Sequence, residues 1–217
     1  MPDLRAELIQ TARSAAASGL LPGKTGNLSC RAEKDGQQGF YITPSGRAYE
    51  GLLLDDIPWL SISGEWDGKG ARPSSEWRLH LELYKKPEVG AVLHAHSPYA
   101  TALACLKRDI PPFHYMIASF GGDTIRCAPY APFGTAALSA NAEAALLDRS
   151  ACLLANHGMV VYGHTLTDAL AQGEELEMLC QHYALACQIA EPVCLTPEEM
   201  ADALARFKDY AAGQSFH

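Results

Sequence analysis

Three histidines and one glutamate stand where their side chains could share a metal ion. His94-Ala95-His96 ends an apolar run, Ala91-Val92-Leu93. On a strand, residues two apart point to the same face, so both imidazoles can turn toward one ion. His157 lies in Leu153-Leu154-Ala155-Asn156-His157-Gly158, an apolar strand that breaks into a turn and leaves a polar side chain at its end. Glu76 follows Ser74-Ser75, just inside the helix that this pair opens. Three imidazoles and a carboxylate form a zinc-type donor set, and a carboxylate that can leave would open a coordination position and free a base beside it. Taken singly, each residue also has an ordinary reading: a histidine with its hydrogen bonds satisfied, or an acid complementing a helix N-terminus. His80, four residues after Glu76, can share its helix face and stands at most behind the metal ligands. His114, His164, His182 and His217 lack comparable context.

A second set of residues suits an anion. Gly26-Asn27, Thr43-Pro44-Ser45-Gly46 and Ser74-Ser75 are short polar segments beside turns. Backbone N–H groups, hydroxyls and a helix N-terminus can together hold a phosphate without formal charge. Each segment alone also reads as turn and cap chemistry. Gly23-Lys24-Thr25 lacks the first glycine of a phosphate loop, which excludes a P-loop nucleotide site.

The elements that must position these groups alternate between helix and strand. Amphipathic spacing predicts helices over 3–18, 73–86, 98–106, 135–147, 165–190 and 197–210. Short apolar or alternating runs predict strands at 27–31, 39–43, 58–63, 90–95, 124–127, 151–155 and 159–162, with a polar turn at 33–38. No repeat and no low-complexity linker divides the chain. The expected fold is α/β, a single domain over 1–217 with a C-terminal helix and tail from about 197; the periodicity leaves the strand directions open.

Bulk properties narrow the partners. The 217 residues carry a formal net charge of -8, which argues against nucleic acid, whose phosphates need clustered Lys and Arg. The charged N-terminal segment is unlike a signal peptide, and no apolar run reaches about 18 residues, so no membrane span is expected. Seven cysteines without a C-x-x-C fit neither a disulfide framework nor a zinc ribbon, and point to a reducing cytoplasm. Cys180 and Cys187 read as apolar positions on a helix face.

Several motifs together resemble one family. GNLSCR at 26–31, ITPSG at 42–46, PSSEWRLH at 73–80, AVLHAHSPYA at 91–100 and LLANHGMVVYG at 153–163 are similar to the class II aldolase/adducin superfamily. The segment PPFHYMIASFGGDTIRCAPYAPFGT at 111–135 most resembles its L-fuculose-1-phosphate aldolase branch. The resemblance implies a largely antiparallel sheet covered by helices on both faces. It also implies a homotetramer with fourfold cyclic symmetry and sites between subunits. His94, His96 and His157 match the zinc ligands, and Glu76 matches the carboxylate that binds zinc at rest and then acts as base. Asn27, Ser45, Gly46, Ser74 and Ser75 match the phosphate pocket. Tyr115 matches a tyrosine supplied by the neighbouring subunit, and Phe133 an aromatic on the aldehyde side. Phe207 and Tyr210 are candidates for the tail that closes the site. The implied reaction cleaves a ketose 1-phosphate, L-fuculose 1-phosphate or a similar sugar, to dihydroxyacetone phosphate and an aldehyde. Zn2+ is the expected metal, and the same donors could hold Mn2+, Co2+ or Fe2+. Dehydratases, decarboxylases and epimerases of the superfamily are alternatives, although epimerase relatives carry aspartate where Glu76 stands. An adducin-like scaffold would not need the four metal-ligating residues.

Overall fold

In the computed structural model, which describes residues 3–211, the apolar spacing of Leu8, Ile9, Ala12 and Ala15 folds as helix α1 (Leu4–Ala17). Asp3 caps it, accepting from the Arg5 N–H at 2.9 Å. Seven strands make one sheet: β1 (Asn27–Lys34), β2 (Gln37–Ile42), β3 (Trp59–Ser61), β4 (Ala91–Ala95), β5 (Arg126–Ala128), β6 (Ala151–Leu154) and β7 (Gly158–Gly163). Their spatial order is β3-β2-β1-β4-β7-β6-β5. All neighbours are antiparallel except β5 and β6, which run parallel. The remaining helices are α2 (Trp77–Leu83), α3 (Pro98–Ala104), α4 (Ala136–Ala145), α5 (Leu166–Ile189) and α6 (Pro197–Ala211).

Strand alternation sorts the helices onto two faces. Leu93 and Ala95 of β4, with Met159 and Val161 of β7, join an apolar cluster that includes Ala12 of α1, Leu103 of α3, Leu176 of α5 and Met200 of α6. Val92 and Val160, one residue out of phase, join the opposite cluster with Leu79 and Leu83 of α2 and Leu138 and Ala142 of α4. The central strands are therefore apolar on both faces, as a doubly covered sheet requires. Each fully buried Leu or Val contributes about 1.5–3 kcal/mol, so packing on both sides holds β4 and β7 rigidly where they carry the histidines.

Three expectations change in detail. The first hairpin is tighter than the polar run 33–38 implied: β1 continues to Lys34, and Asp35-Gly36 alone makes the turn with φ of +52° and +76°. An Asp-Gly pair at positive φ gives a two-residue turn whose twist matches its strands. Helix α2 begins at Trp77 and ends at Leu83. Its last carbonyls receive i→i+3 bonds from Lys85 and Lys86, and Pro87 disfavours helical backbone at the residue before it. Cys180 is buried but Cys187 is exposed, because the buried positions of α5 stop at Cys180. Short 3-10 segments at Tyr49–Gly51, Leu54–Asp56 and Tyr115–Phe120 have no signature in the periodicity. Helix α6 forms as expected, while residues 212–217 of the predicted tail lie outside the described residues. No described helix is long and apolar enough to cross a membrane.

Candidate active site

The β1–β4 pairing sets the floor of the site. Asn27 lies opposite His94 in the antiparallel register, and both face the α2 side of the sheet with Ser29 and Val92. His94 is fully buried. Its Nδ1 lies 2.8 Å from the Met159 carbonyl on β7, which only accepts, so Nδ1 keeps a proton and Nε2 is the nitrogen available to a metal once deprotonated. His96 stands just past the end of β4, and the turn that follows it is anchored from α5. There Glu177 accepts from the Ser97 hydroxyl at 2.6 Å and from the Tyr99 and Ala100 N–H groups at 2.8 Å.

His157 comes from the tight turn between β6 and β7. Asn156 adopts φ +54° and the His157 N–H returns to the Leu154 carbonyl at 3.0 Å. Gly158 is required there: a Cβ at this position would meet the Ala95 carbonyl at 2.3 Å and the His96 ring at 3.0 Å. Glu76 is the residue before α2 rather than one within it, with φ -100° and ψ 14°. Its N–H is held by the Ser74 hydroxyl at 3.3 Å. The side chain turns inward and is only 6% exposed, so its place is not that of a surface acid complementing a helix dipole.

The four groups converge. Glu76 Oε2 lies 3.1 Å from His94 Nε2, Glu76 Oε1 lies 3.3 Å from His157 Nε2, and the Nε2 atoms of His94 and His96 are 3.0 Å apart. One ligand atom from each residue lies within 4.8 Å of all the others. Three ring nitrogens facing one another beside a carboxylate oxygen without a hydrogen bond are satisfied by a cation, so the donor set fits a divalent metal.

Charge is distributed accordingly. Burial would push the Glu76 carboxyl up, but the His94 and His157 rings and the Asn27 amide outweigh it and hold it at about 2. Burial lowers His94, yet Glu76 beside it reverses the direction and leaves it raised. Burial and the His94 ring push both His96 and His157 down to about 4. Metal ligands must be deprotonated, so the metal-free site gives up only the His94 proton on loading. Metal uptake is therefore expected to release protons at low pH, the number falling toward none as pH rises through the His94 pKa. Calorimetry in buffers of different ionisation enthalpy measures this number. Release of nearly three protons would mean that all three rings are cationic.

Above the four ligands lies a cavity of about 350 Å³. Its wall contains Asn27, Ser45, Gly46, Ser75 and Phe133 of the expected site, together with Glu76, His96 and His157. The Pro44–Pro73 bridge and the Ser45 N–H to Arg72 carbonyl bond bring the 45–46 turn against the segment before α2. Ser74 sits behind this wall, its hydroxyl occupied by the Glu76 N–H. Asn27 reaches the wall, but its carboxamide is engaged by Glu76 and His80. Tyr115 is not part of this cavity. It is 52% exposed and lines a separate groove with Met116, Phe207 and Tyr210, its ring stacked 6.3 Å from that of Phe207. The cavity also includes Lys24, Thr25, Tyr130 and Asn156, which the sequence reading did not select. Lys24 and Thr25 are polar residues beside a glycine turn that lacks the spacing of a P-loop. Asn156 belongs to the turn that carries His157, and nothing local marks Tyr130.

Comparisons with known proteins agree with this geometry. The family profile described as "Class II Aldolase and Adducin N-terminal domain" matches residues 6–184. The chain is 49% identical to the 5-methylthioribulose-1-phosphate/5-deoxyribulose-1-phosphate aldolase of Rhodospirillum rubrum, over 95% of this chain and 92% of that protein. It is 41% identical to the L-fuculose phosphate aldolase of Escherichia coli strain K12, over 95% of each. A solved structure of L-fuculose 1-phosphate aldolase superposes with a TM-score of 0.89 at 40% identity, covering 96% of this chain and 97% of that one. With an α/β fold built on a mostly antiparallel sheet, a Glu/His3 cluster fit for a divalent metal, and this similarity along nearly its whole length, the chain belongs to the class II aldolase and adducin family and is a lyase of its aldolase branch.

Proposed function

We propose that the protein is a zinc-dependent aldolase that cleaves a ketose 1-phosphate to dihydroxyacetone phosphate and an aldehyde. The observation that carries this reading is the convergence of Glu76 and three imidazoles at the floor of a cavity walled by hydroxyl-bearing turns. When bound, a divalent cation supplies Lewis-acid polarisation to a carbonyl beside it. Three nitrogen donors and one carboxylate favour zinc, although manganese, cobalt and iron accept the same atoms.

The chain's own groups carry the remaining steps. The Ser45-Gly46 turn and Ser75, with Asn27 and Ser74 supporting them, bind the phosphate and fix which end of the sugar reaches the floor. Breaking the C3–C4 bond leaves the electron pair on the three-carbon fragment, and Glu76, after taking up a proton from water in the open cavity, delivers it to C3. In condensation Glu76 removes that proton, for which its low pKa keeps it ionised. Tyr115 takes the proton of the C4 hydroxyl while its own phenolic proton passes to solvent. Phe133, at the cavity rim and 68% exposed, lines the aldehyde side.

We read the enzyme as a homotetramer with fourfold cyclic symmetry and sites between subunits. Within one protomer Tyr115 lies outside the cavity over Glu76, so its service there requires a neighbouring copy. Tyr115→Phe is expected to slow cleavage by about 10²-fold while sedimentation shows an intact tetramer. A silent substitution would assign the C4 proton to another group. All seven cysteines are free thiols, which supports the proposed cytoplasmic location.

The aldehyde partner has two readings. A 6-deoxyhexulose 1-phosphate of the L-fuculose type follows from the 111–135 segment and the relatives at 41%. A 5-deoxy- or 5-methylthio-pentulose 1-phosphate follows from the relative at 49%. The test is release of dihydroxyacetone phosphate from a panel of these ketose 1-phosphates by zinc-loaded protein, with Glu76→Gln as control. Release by the wild type alone supports the aldolase, and relative rates rank the aldehyde. No release from any member, with zinc bound, would defeat the reading in favour of the dehydratases and decarboxylases.

A further inference from the structure

Behind the site runs a buried chain of polar groups that the reaction above does not use. Glu76 just before α2, His80 within it and Tyr84 just after it stand at four-residue intervals, and Asn27 and Ser29 stand two apart on the facing side of β1. Their side chains interlock. Asn27 Nδ2 lies 3.1 Å from Glu76 Oε2, His80 Nε2 is in short contact with Asn27 Oδ1, Ser29 Oγ lies 2.6 Å from His80 Nδ1, and Tyr84 Oη lies 2.6 Å from Ser29 Oγ. His80 and Ser29 are fully buried, and Asn27 and Tyr84 nearly so.

Proton accounting gives this chain one direction. An ionised carboxylate only accepts, so Asn27 must turn its NH2 toward Glu76 and its carbonyl oxygen toward His80. A flipped amide would set two acceptors against each other at the Glu76 end. His80 must then donate from Nε2. No carboxylate touches its ring, and burial pushes its pKa down to about 3, so the ring is neutral and Nδ1 accepts. Ser29 therefore donates to Nδ1, and Tyr84 donates to Ser29. Each of the four contacts then joins one donor to one acceptor, and no other arrangement with a neutral ring and an ionised Glu76 does so.

We propose that His80, locked as its Nε2–H tautomer by Ser29 and Tyr84, is a positioning residue that fixes the Asn27 carboxamide and through it aims the Glu76 carboxylate at the metal and the substrate. The inference rests on the reading of Glu76 as metal ligand and base. Without the Nε2 donor, Asn27 can rotate and present its oxygen to the carboxylate. Glu76 is then pushed out of line while the three histidine ligands remain. The arrangement resembles the carboxylate and amide partners that orient ligands at metal sites generally, whose loss costs about 10–100-fold in affinity or activity.

The experiment compares wild type, His80→Leu and His80→Gln as zinc-loaded full chains. Leucine fills the space without polar atoms, whereas glutamine offers an N–H to Asn27 and an oxygen to Ser29. His80→Leu is expected to lose about 10–100-fold in kcat at saturating zinc and about tenfold in zinc affinity. His80→Gln is expected to stay within about threefold of wild type on both. Long-range ¹⁵N–¹H spectra of the wild type are expected to show His80 protonated at Nε2 alone. A proton on Nδ1, an unaffected His80→Leu, or a His80→Gln as impaired as His80→Leu would each overturn the proposal. The last would reduce His80 to packing. If the wild type cleaves no ketose phosphate, the function reading fails separately, and the tautomer and the zinc affinities still decide. If His80→Leu does not fold, Ser29→Ala takes its place: removing the Nδ1 donor is expected to shift the His80 tautomer and lower zinc affinity, and no change in either would overturn the proposal.

Discussion

Glu76→Gln is expected to lower turnover by about 10²–10⁴-fold, the range a positioned proton-transfer group contributes, while the fold and most of the bound metal remain. The substitution preserves shape in a site where Glu76 is 6% exposed and packed against two imidazoles. An amide oxygen can still face the metal and still accept from the Asn27 NH2. The amide cannot take or give the C3 proton, because its basicity is far too low. The loss should therefore appear in kcat, with KM for the ketose phosphate little changed, since the phosphate is held by the 45–46 turn and Ser75. Steady-state rates beside metal stoichiometry check this. Near-normal turnover with metal bound would remove Glu76 from the base role.

His94→Ala is expected to empty the site. Structural zinc sites are worth about 10–16 kcal/mol over four ligands, so one ligand is worth about 3 kcal/mol, roughly 10²-fold in affinity. The actual loss should be at the upper end here. His94 is fully buried and is the ring nearest Glu76 Oε2. Its removal also strands the Met159 carbonyl that receives its Nδ1 proton, and leaves Glu76 without its main electrostatic support. Zinc content after dialysis is the measurement, with thermal unfolding as the control for fold. Retained stoichiometric zinc would exclude His94 from the ligand set. The two substitutions thus separate the chemistry from the metal: one keeps zinc without turnover, the other loses both.

What the sequence determined by itself follows from local rules. His94 and His96 two apart at the end of an apolar run, and His157 in a turn after another, were legible because strand alternation and turn chemistry operate within a few residues. The helix periods of α1, α5 and α6 were legible for the same reason. Sequence motifs also carried the family, since the similarity runs along nearly the whole chain.

Tertiary structure decided what depends on register and on packing between distant segments. Only the antiparallel pairing of β1 with β4 puts Asn27 opposite His94, and only the seating of α2 on that face turns Glu76 inward from the surface place that its sequence position alone allowed. Tyr130 enters the cavity through a loop with no pattern of its own, and Tyr115 leaves it because its 3-10 segment packs against α6. His80 had no more context in the sequence than four-residue spacing from a glutamate. Its tautomer is fixed by Asn27 and Ser29, fifty-odd residues away, because a buried polar group takes its meaning from whichever partner the fold brings within hydrogen-bond reach.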